Sequence, residues 1–312
     1  MSGLAETEGP PPTRAYLQAV SAGALWGSAG PFSVALFRMG LPPESVAVWR
    51  LVVGLLGLLL FALAVAPGRL AVDRRGLLLM LVPGGVATAG FHLAYQLSTE
   101  AIGVPSTVAL LYLAPAIVVA ASPVLGEMPT LRKAGLAVVS VVGVWMTVLG
   151  AEGAAFRTGL GGVLWGIATG LGFASYTLFA RWVTPRYGAL PTLLYSSAAA
   201  LVILATAYPL LGWEVAAPGS LEAWGTVALF GLATVTVAML LFYHALGTIE
   251  ASRAAIGATV EPLVAALLAL LLLDQGLETL GWAGLALLVV GVTGAYAAPT
   301  RSEVRSDGGP GA

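Results

Sequence analysis

The feature that most constrains this chain is a succession of ten apolar runs. Each is close to the ~20 residues that carry a helix across ~30 Å of hydrocarbon. They cover residues 16–37, 45–66, 76–98, 104–125, 131–150, 159–180, 190–211, 223–246, 252–273 and 279–298. Backbone inside a bilayer must satisfy its own hydrogen bonds, so repeated runs of this length predict membrane-spanning helices. The connections are short, and several carry breakers: Gly40-Leu41-Pro42-Pro43, Pro67-Gly68 and Pro218-Gly219. No stretch remains that predicts a soluble domain. Met1 to Arg14 lacks the basic start, apolar run and cleavage site of a signal peptide, so residues 1–15 read as a short cytoplasmic tail. Residues 299–312 read as a polar, disordered cytoplasmic tail.

Composition removes the main alternatives. Hydrophobic residues make up 58% of the 312 and charged ones 9%, where a soluble domain carries about a quarter charged. A soluble core has no use for that much apolar surface, and a bilayer takes it directly. The net charge of −1 leaves no electrostatic footprint for nucleic acid. The absence of cysteine excludes disulfides, thiolate catalysis and cysteine metal sites, and two histidines make no zinc constellation. No cofactor or metal is therefore expected. Forty glycines and nineteen prolines suit membrane helices that pack closely.

The basic residues set the expected orientation. With both termini in the cytoplasm, the inner segments hold Arg14, Arg69, Arg74, Arg75, Arg132, Lys133, Arg181, Arg186, Arg253, Arg301 and Arg305. The outer loops hold Arg38 and Arg157, and Arg50 lies within a span. This bias toward the inside points to a multi-pass cell (inner) membrane protein. An odd number of spans breaks the alternation, so the same bias supports ten.

The chain also repeats itself. Gly23-Ala24-Leu25-Trp26-Gly27 in the first run answers Gly162-Val163-Leu164-Trp165-Gly166 in the sixth. Thr130-Leu131 with Ala134-Gly135-Leu136-Ala137 answers Thr279-Leu280 with Ala283-Gly284-Leu285-Ala286. Between them, Pro115 with Glu127 twelve residues on answers Pro262 with Asp274 twelve residues on. Each half holds five runs, and an odd number makes the second half enter the membrane from the opposite side. The expected fold is therefore an all-α membrane protein of ten transmembrane helices arranged as two inverted five-helix repeats, residues 16–150 and 159–298. Such architectures bind substrate near the midplane, between the repeats.

These residues carry a resemblance. Leu25-Trp26-Gly27, Arg50, Tyr243-His244-Ala245-Leu246, Glu261-Pro262 and the stretch Gly281 to Gly291 resemble the drug/metabolite transporter superfamily, and within it the EamA-type permeases. The resemblance covers residues 16–298. It departs from the family at Asp274, where the second repeat usually has Glu. It departs again at Phe37 and Arg38, where the first repeat often has a lysine. The resemblance implies a ten-helix inverted-repeat carrier, often an exporter of amino acids or related metabolites.

Ionisable groups inside a span are costly and are functional candidates by default. Glu261 is the deepest acid, and Pro262 beside it removes a helical N–H and displaces the carbonyl of residue 258. It reads either as a substrate-ammonium or proton site or as an interhelical clamp. Thr88, His92, Tyr95, Gln96 and Thr99 form one polar stripe on the third run, which must face protein or a water-filled cavity. The alternative is polar glue between helices. Trp26 lies mid-span, where its indole N–H needs a partner. Trp165 lies nearer its helix start, at an interface. Tyr112 and Tyr176 line a cavity or pack in the core, with packing the simpler account. Together Trp26, Thr88, His92, Tyr95, Gln96, Tyr112, Tyr176 and Glu261 form the candidate substrate site.

Arg50 reads as a structural ion pair with an acid, or as a snorkelling residue. Glu127 and Asp274 read as hairpin locks that take hydrogen bonds from the helix starts at Thr130 and Thr279. Leu58 reads as lipid-facing. Gly162, Gly166 and Gly170, like Gly23 and Gly27, form small-residue faces for packing within one protomer. The partners expected are a small-molecule substrate and the lipid bilayer, with a monomer or weak homodimer as the assembly.

An enzyme is not expected. The chain has no His-Glu-x-x-His, no Gly-x-Ser-x-Gly and no phosphate loop, and Asp73, Asp274 and Asp307 all lie away from mid-span. No channel filter motif appears either. The expected function is secondary transport of amino acids or related amine-bearing metabolites, by alternating access between the repeats. The alternatives are a carrier of drugs or other metabolites and a non-transporting membrane scaffold.

Overall fold

The computed structural model describes residues 13–65, 67–121, 123, 128–151, 160–246 and 251–298. These residues are almost wholly helical, with an isolated bridge between Ala151 and Leu277. The helices are α1 (Thr13–Gly27), α2 (Ala29–Arg38), α3 (Pro43–Val65), α4 (Arg74–Leu79), α5 (Gly85–Leu111), α6 (Leu113–Ala121) and α7 (Leu131–Leu149). The second half holds α8 (Leu160–Tyr187), α9 (Ala189–Leu210), α10 (Leu221–Gly231), α11 (Ala238–Leu246), α12 (Ala251–Ala258), α13 (Glu261–Leu273) and α14 (Thr279–Ala297). π-Helical turns at Met80–Gly84 and Leu232–Val237 join α4 to α5 and α10 to α11.

Among the described residues nine helical segments are long and apolar enough to cross a membrane. One of them, Arg74–Ala121, runs for 48 residues. A straight helix of that length spans about 72 Å, more than twice the hydrocarbon thickness. The segment is not straight. Gly103 takes φ 78°, ψ 172° inside α5, a backbone conformation that glycine adopts without steric cost. The hydroxyls of Ser98 and Thr107 lie 2.8 Å apart, although nine helical residues separate such groups by about 13 Å. The chain therefore doubles back at Gly103, and the Val104 N–H exposed by the turn donates to Gln275 Oε1 at 2.9 Å.

Prolines place four of the other irregularities. A proline lacks an N–H for the carbonyl four residues earlier, and its ring clashes with that carbonyl. Pro31, Pro115 and Pro262 each lie four residues after Gly27, Leu111 and Ala258, the last residues of α1, α5 and α12. Pro83 lies four after Leu79, where the first π turn begins. The breaks at Tyr112 and at Thr259–Val260 occupy matching places in the two halves of the repeated sequence.

The halves pack through their glycines. A side chain on Gly150 would meet Gly281, one on Gly143 would meet Gly284 and Leu288, and one on Gly291 would meet Ser140. Numbers rise along α7 as they fall along α14, so these counterpart helices run antiparallel in backbone contact. The small-residue faces serve contacts within the chain as expected. Gly23 and Gly27 lie against Ala258 and Glu261 of the second half, and Gly162 and Gly166 lie against Ala101, Ile102 and Leu110 of the first. Each half thus sends its opening helix against the other half's later ones.

Large apolar side chains cover the outside, among them Leu56, Leu60, Leu63, Leu131, Leu210 and Leu271. Leu58 is a correction. It is fully buried with Ala62, Leu193, Leu194 and Val235, because the lipid face of α3 runs along Leu56, Leu60 and Leu63 instead. The two ends of the bundle are tied across the halves. At one end Trp49 Nε1 donates to the Ala216 carbonyl at 2.9 Å, and Arg38 Nη2 to the Leu273 carbonyl at 3.3 Å. At the other, Asp73 accepts from Gly76 N at 2.6 Å, Tyr187 Oη at 3.0 Å and Arg186 Nη2 at 3.4 Å.

Candidate functional site

The helix breaks aim polar groups at one another. Tyr112 sits in the turn between α5 and α6, and Glu261 opens α13 directly after the turn at Thr259–Val260. Both side chains are buried, and the Tyr112 hydroxyl donates to Glu261 Oε2 at 3.1 Å. A carboxylate in the first turn of a helix also gains from the positive end of its dipole. Tyr296 of α14 lies near enough to interact electrostatically with Glu261. Tyr112 packs in the hydrophobic core as expected, and its hydroxyl also holds the deepest acid.

A second knot forms on Thr234. A π turn shifts the hydrogen-bond register and so offers a carbonyl to an outside donor. The Trp26 indole donates to the Thr234 carbonyl at 3.0 Å, and Arg50 Nε donates to its hydroxyl at 3.1 Å. One residue of the eighth run thus holds side chains from the first and second. The Arg50 guanidinium lies over the rings of Phe230, at 4.7 Å to the centroid, and Tyr95, at 5.8 Å.

This corrects the reading of Arg50. It is 5% exposed, so it does not snorkel. Among the described residues it has no carboxylate within 4.0 Å, because Thr234 and two ring faces occupy its surroundings. Its Nη1 is buried without a partner. Arg50, Tyr95 and Glu261 nonetheless lie near enough to interact electrostatically, as do Arg50 and His92.

The polar stripe of the third run is buried along its whole length, from Thr88 through His92, Tyr95 and Gln96 to Thr99. Thr88 and Thr99 spend their hydroxyls on backbone carbonyls one turn back, at 2.8 and 2.7 Å. His92 Nδ1 and both amide atoms of Gln96 have no partner. Polar glue accounts for none of those three atoms.

Tyr176 stands apart from the Glu261 group. Its hydroxyl lies near enough to that of Tyr243 to interact electrostatically, and its ring stacks on Phe173. Aromatic contacts still connect it to the rest. Phe173 meets Phe91 beside His92, and Phe242 meets Trp26 with centroids 5.2 Å apart. Trp165, the counterpart of Trp26, is half-exposed as expected for an interfacial ring.

Thr234, Phe230, Phe242 and Tyr296 were not singled out from sequence. Thr234 lies in an apolar run with no charge or motif near it, and only the packed fold makes it a double acceptor. The hairpin-lock reading of Asp274 is also corrected. Asp274 takes the left-handed C-cap position of α13 with φ 57°, and it makes no hydrogen bond to Thr279 among the described residues. The neighbouring Gln275 makes the cross-link, to Val104. Glu127, residues 153–157, residues 1–12 and residues 299–312 lie outside the described residues, while residues 13–15 of the expected N-terminal tail already belong to α1. Among the described residues no cluster of three His, Cys, Asp or Glu side chains suits a metal ion.

The sequence model of the EamA-like transporter family matches the chain twice, over residues 13–149 and 160–297. The uncharacterised inner membrane transporter YicL of Salmonella typhimurium is 25% identical over 287 residues, covering 89% of this chain and 94% of that protein. The uncharacterised transporter YwfM of Bacillus subtilis is 29% identical over 168 residues, 53% of this chain and 55% of that one. A crystal structure of a protein 19% identical in sequence shares the fold with a TM-score of 0.65, covering 91% of this chain and 96% of that one.

Proposed function

The chain belongs to the EamA-like transporter family, a multi-pass membrane transporter, and on that premise we propose that it exports amino acids or related amine-bearing metabolites by alternating access. The observation that carries the reading is the buried Glu261–Tyr112 pair at the helix breaks of opposite halves. A carboxylate in low dielectric favours a cation and repels an anion. Trp26 and Tyr112 add ring faces that attract an ammonium group, and Thr88, His92, Tyr95 and Gln96 add a polar wall. Phosphorylated sugars and nucleotides are excluded on the same grounds.

Ten crossings and two inverted five-helix repeats, residues 16–150 and 159–298, belong to this reading. Three things support them: the fold-back at Gly103, the antiparallel packing of α7 on α14, and the exchange of opening helices between the halves. The halves rock about the glycine-lined contact, exposing the site to one side at a time. Both termini lie in the cytoplasm, and the protein works in the cell membrane as a monomer or weak dimer.

The test is counterflow in proteoliposomes, with amino acids, simple amines and phosphorylated metabolites offered in turn. Exchange of the first two classes alone is expected. Exchange of phosphorylated compounds alone would sink the assignment.

A further inference from the structure

Nothing in that reading uses Arg50. A guanidinium has five N–H donors and no acceptor, and it keeps its charge in any protein environment. Taking such a charge out of water is unfavourable unless it is paired and hydrogen-bonded. Arg50 spends Nε on Thr234 and lays its faces on Phe230 and Tyr95, while Nη1 has no partner. Glu261 is also buried and is near enough to interact electrostatically with Arg50. The pair is not made, and Glu261 takes its hydrogen bond from Tyr112 instead. Two buried opposite charges are held apart, each with hydrogen-bonding capacity left over.

We infer that Arg50 receives the carboxylate of the substrate while Glu261 receives its ammonium, so the cargo is a zwitterion in preference to a simple amine. The assignment rests on the amine-transport reading above and narrows it. The planar guanidinium can grip a carboxylate through two parallel N–H bonds, which a lysine ammonium cannot do. His92 lies near enough to Arg50 to interact electrostatically, and its Nδ1 and both amide atoms of Gln96 are free to serve the cargo's other polar atoms.

The experiment compares three ligand sets on the purified protein by thermal stabilisation. They are the common amino acids, the amines left when their carboxyl groups are removed, and the acids left when their amino groups are removed. At least one amino acid is expected to bind about tenfold or more tightly than its amine, the cost of leaving a charged hydrogen-bonding group unpaired. Arg50→Gln should erase that preference. Arg50→Lys should keep part of it, which separates recognition from a folding defect. Amines binding as well as their amino acids would overturn the role of Arg50 and leave amine transport standing. Acids binding while amines and amino acids do not would support an anion site at Arg50 and overturn the amine reading. Silence across the panel would overturn both.

Discussion

Tyr112 and Glu261 are 149 residues apart in sequence, and their side chains meet at 3.1 Å where proline-driven helix breaks of the two halves face each other. Neither break is a defect in packing, since both residues are buried. The contact joins the halves at the centre of the candidate site.

Glu261→Gln should keep the fold in detergent and lower transport by about tenfold or more. It keeps the shape of the side chain and removes the charge proposed to hold an ammonium. Tyr112→Phe should destabilise the protein by about 1.5–3 kcal/mol, the value of a hydrogen bond to a charged group. Size-exclusion profiles, unfolding curves and counterflow rates measure these effects. Unchanged transport in both Gln and Ala variants at 261 would remove the acid from the site, and loss of folded protein with Gln would leave it as a clamp.

Gly143→Val should be more damaging than a surface change, by about 1–3 kcal/mol of overpacking. A side chain there meets the backbone of Gly284 and Leu288, which has nowhere to go. Gly135→Val, in open space on the same helix, is the matched control. Equal unfolding temperatures for the two variants would mean that α7 and α14 are not in backbone contact.

Cysteine scanning tests whether water reaches the polar stripe, on a chain with no cysteine of its own. His92→Cys and Gln96→Cys should react with a small water-soluble thiol reagent during turnover, and substrate should slow them. Leu60→Cys, on the exposed apolar face, should stay unreacted. Labelling at 60 with silence at 92 and 96 would place the stripe away from water.

Reporter fusions test the orientation. A fusion after Gly153 should report the outside, and fusions after Arg186 or Thr300 the cytoplasm, following the arginine and lysine bias. A cytoplasmic signal at 153 would contradict ten crossings.

The tie at Asp73 predicts a pH window. The Gly76 N–H first, then the Tyr187 hydroxyl, hold the Asp73 carboxyl below its usual range, with Arg186 and Arg75 adding to the effect. A carboxylate with a depressed folded pKa stabilises above its unfolded value of ~3.9 and loses the contribution as pH falls through the lower folded value. Hydrogen exchange at residues 74–80, corrected for intrinsic rates, should therefore show constant protection between about pH 5 and pH 8. Asp73→Ala should lower that protection across the whole range. Equal protection in the variant would show that the tie does nothing.

Much of the architecture was legible in the residues themselves. Apolar runs of bilayer length must be helices, because lipid offers the backbone no other hydrogen-bond partner. Pro31, Pro83, Pro115 and Pro262 then mark the carbonyls that lose their donor, a local effect that needs no tertiary information. The buried stripe from Thr88 to Thr99 and the paired glycines followed from helical periodicity and size. What the sequence left open was decided by which helices meet. Arg50 looked like half of an ion pair, and only the fold shows Thr234 and two rings around it while Tyr112 occupies Glu261. Leu58 and Leu60 are both leucines two residues apart, and the neighbours Leu193, Leu194 and Val235 decide that the first is buried. Asp274 and Gln275 are adjacent polar residues, and the turn at Gly103 alone decides that Gln275 makes the cross-link. Periodicity is a property of one helix and is written in its own residues. A polar partner is a property of two segments that can lie more than two hundred residues apart, and it exists only once the halves have packed.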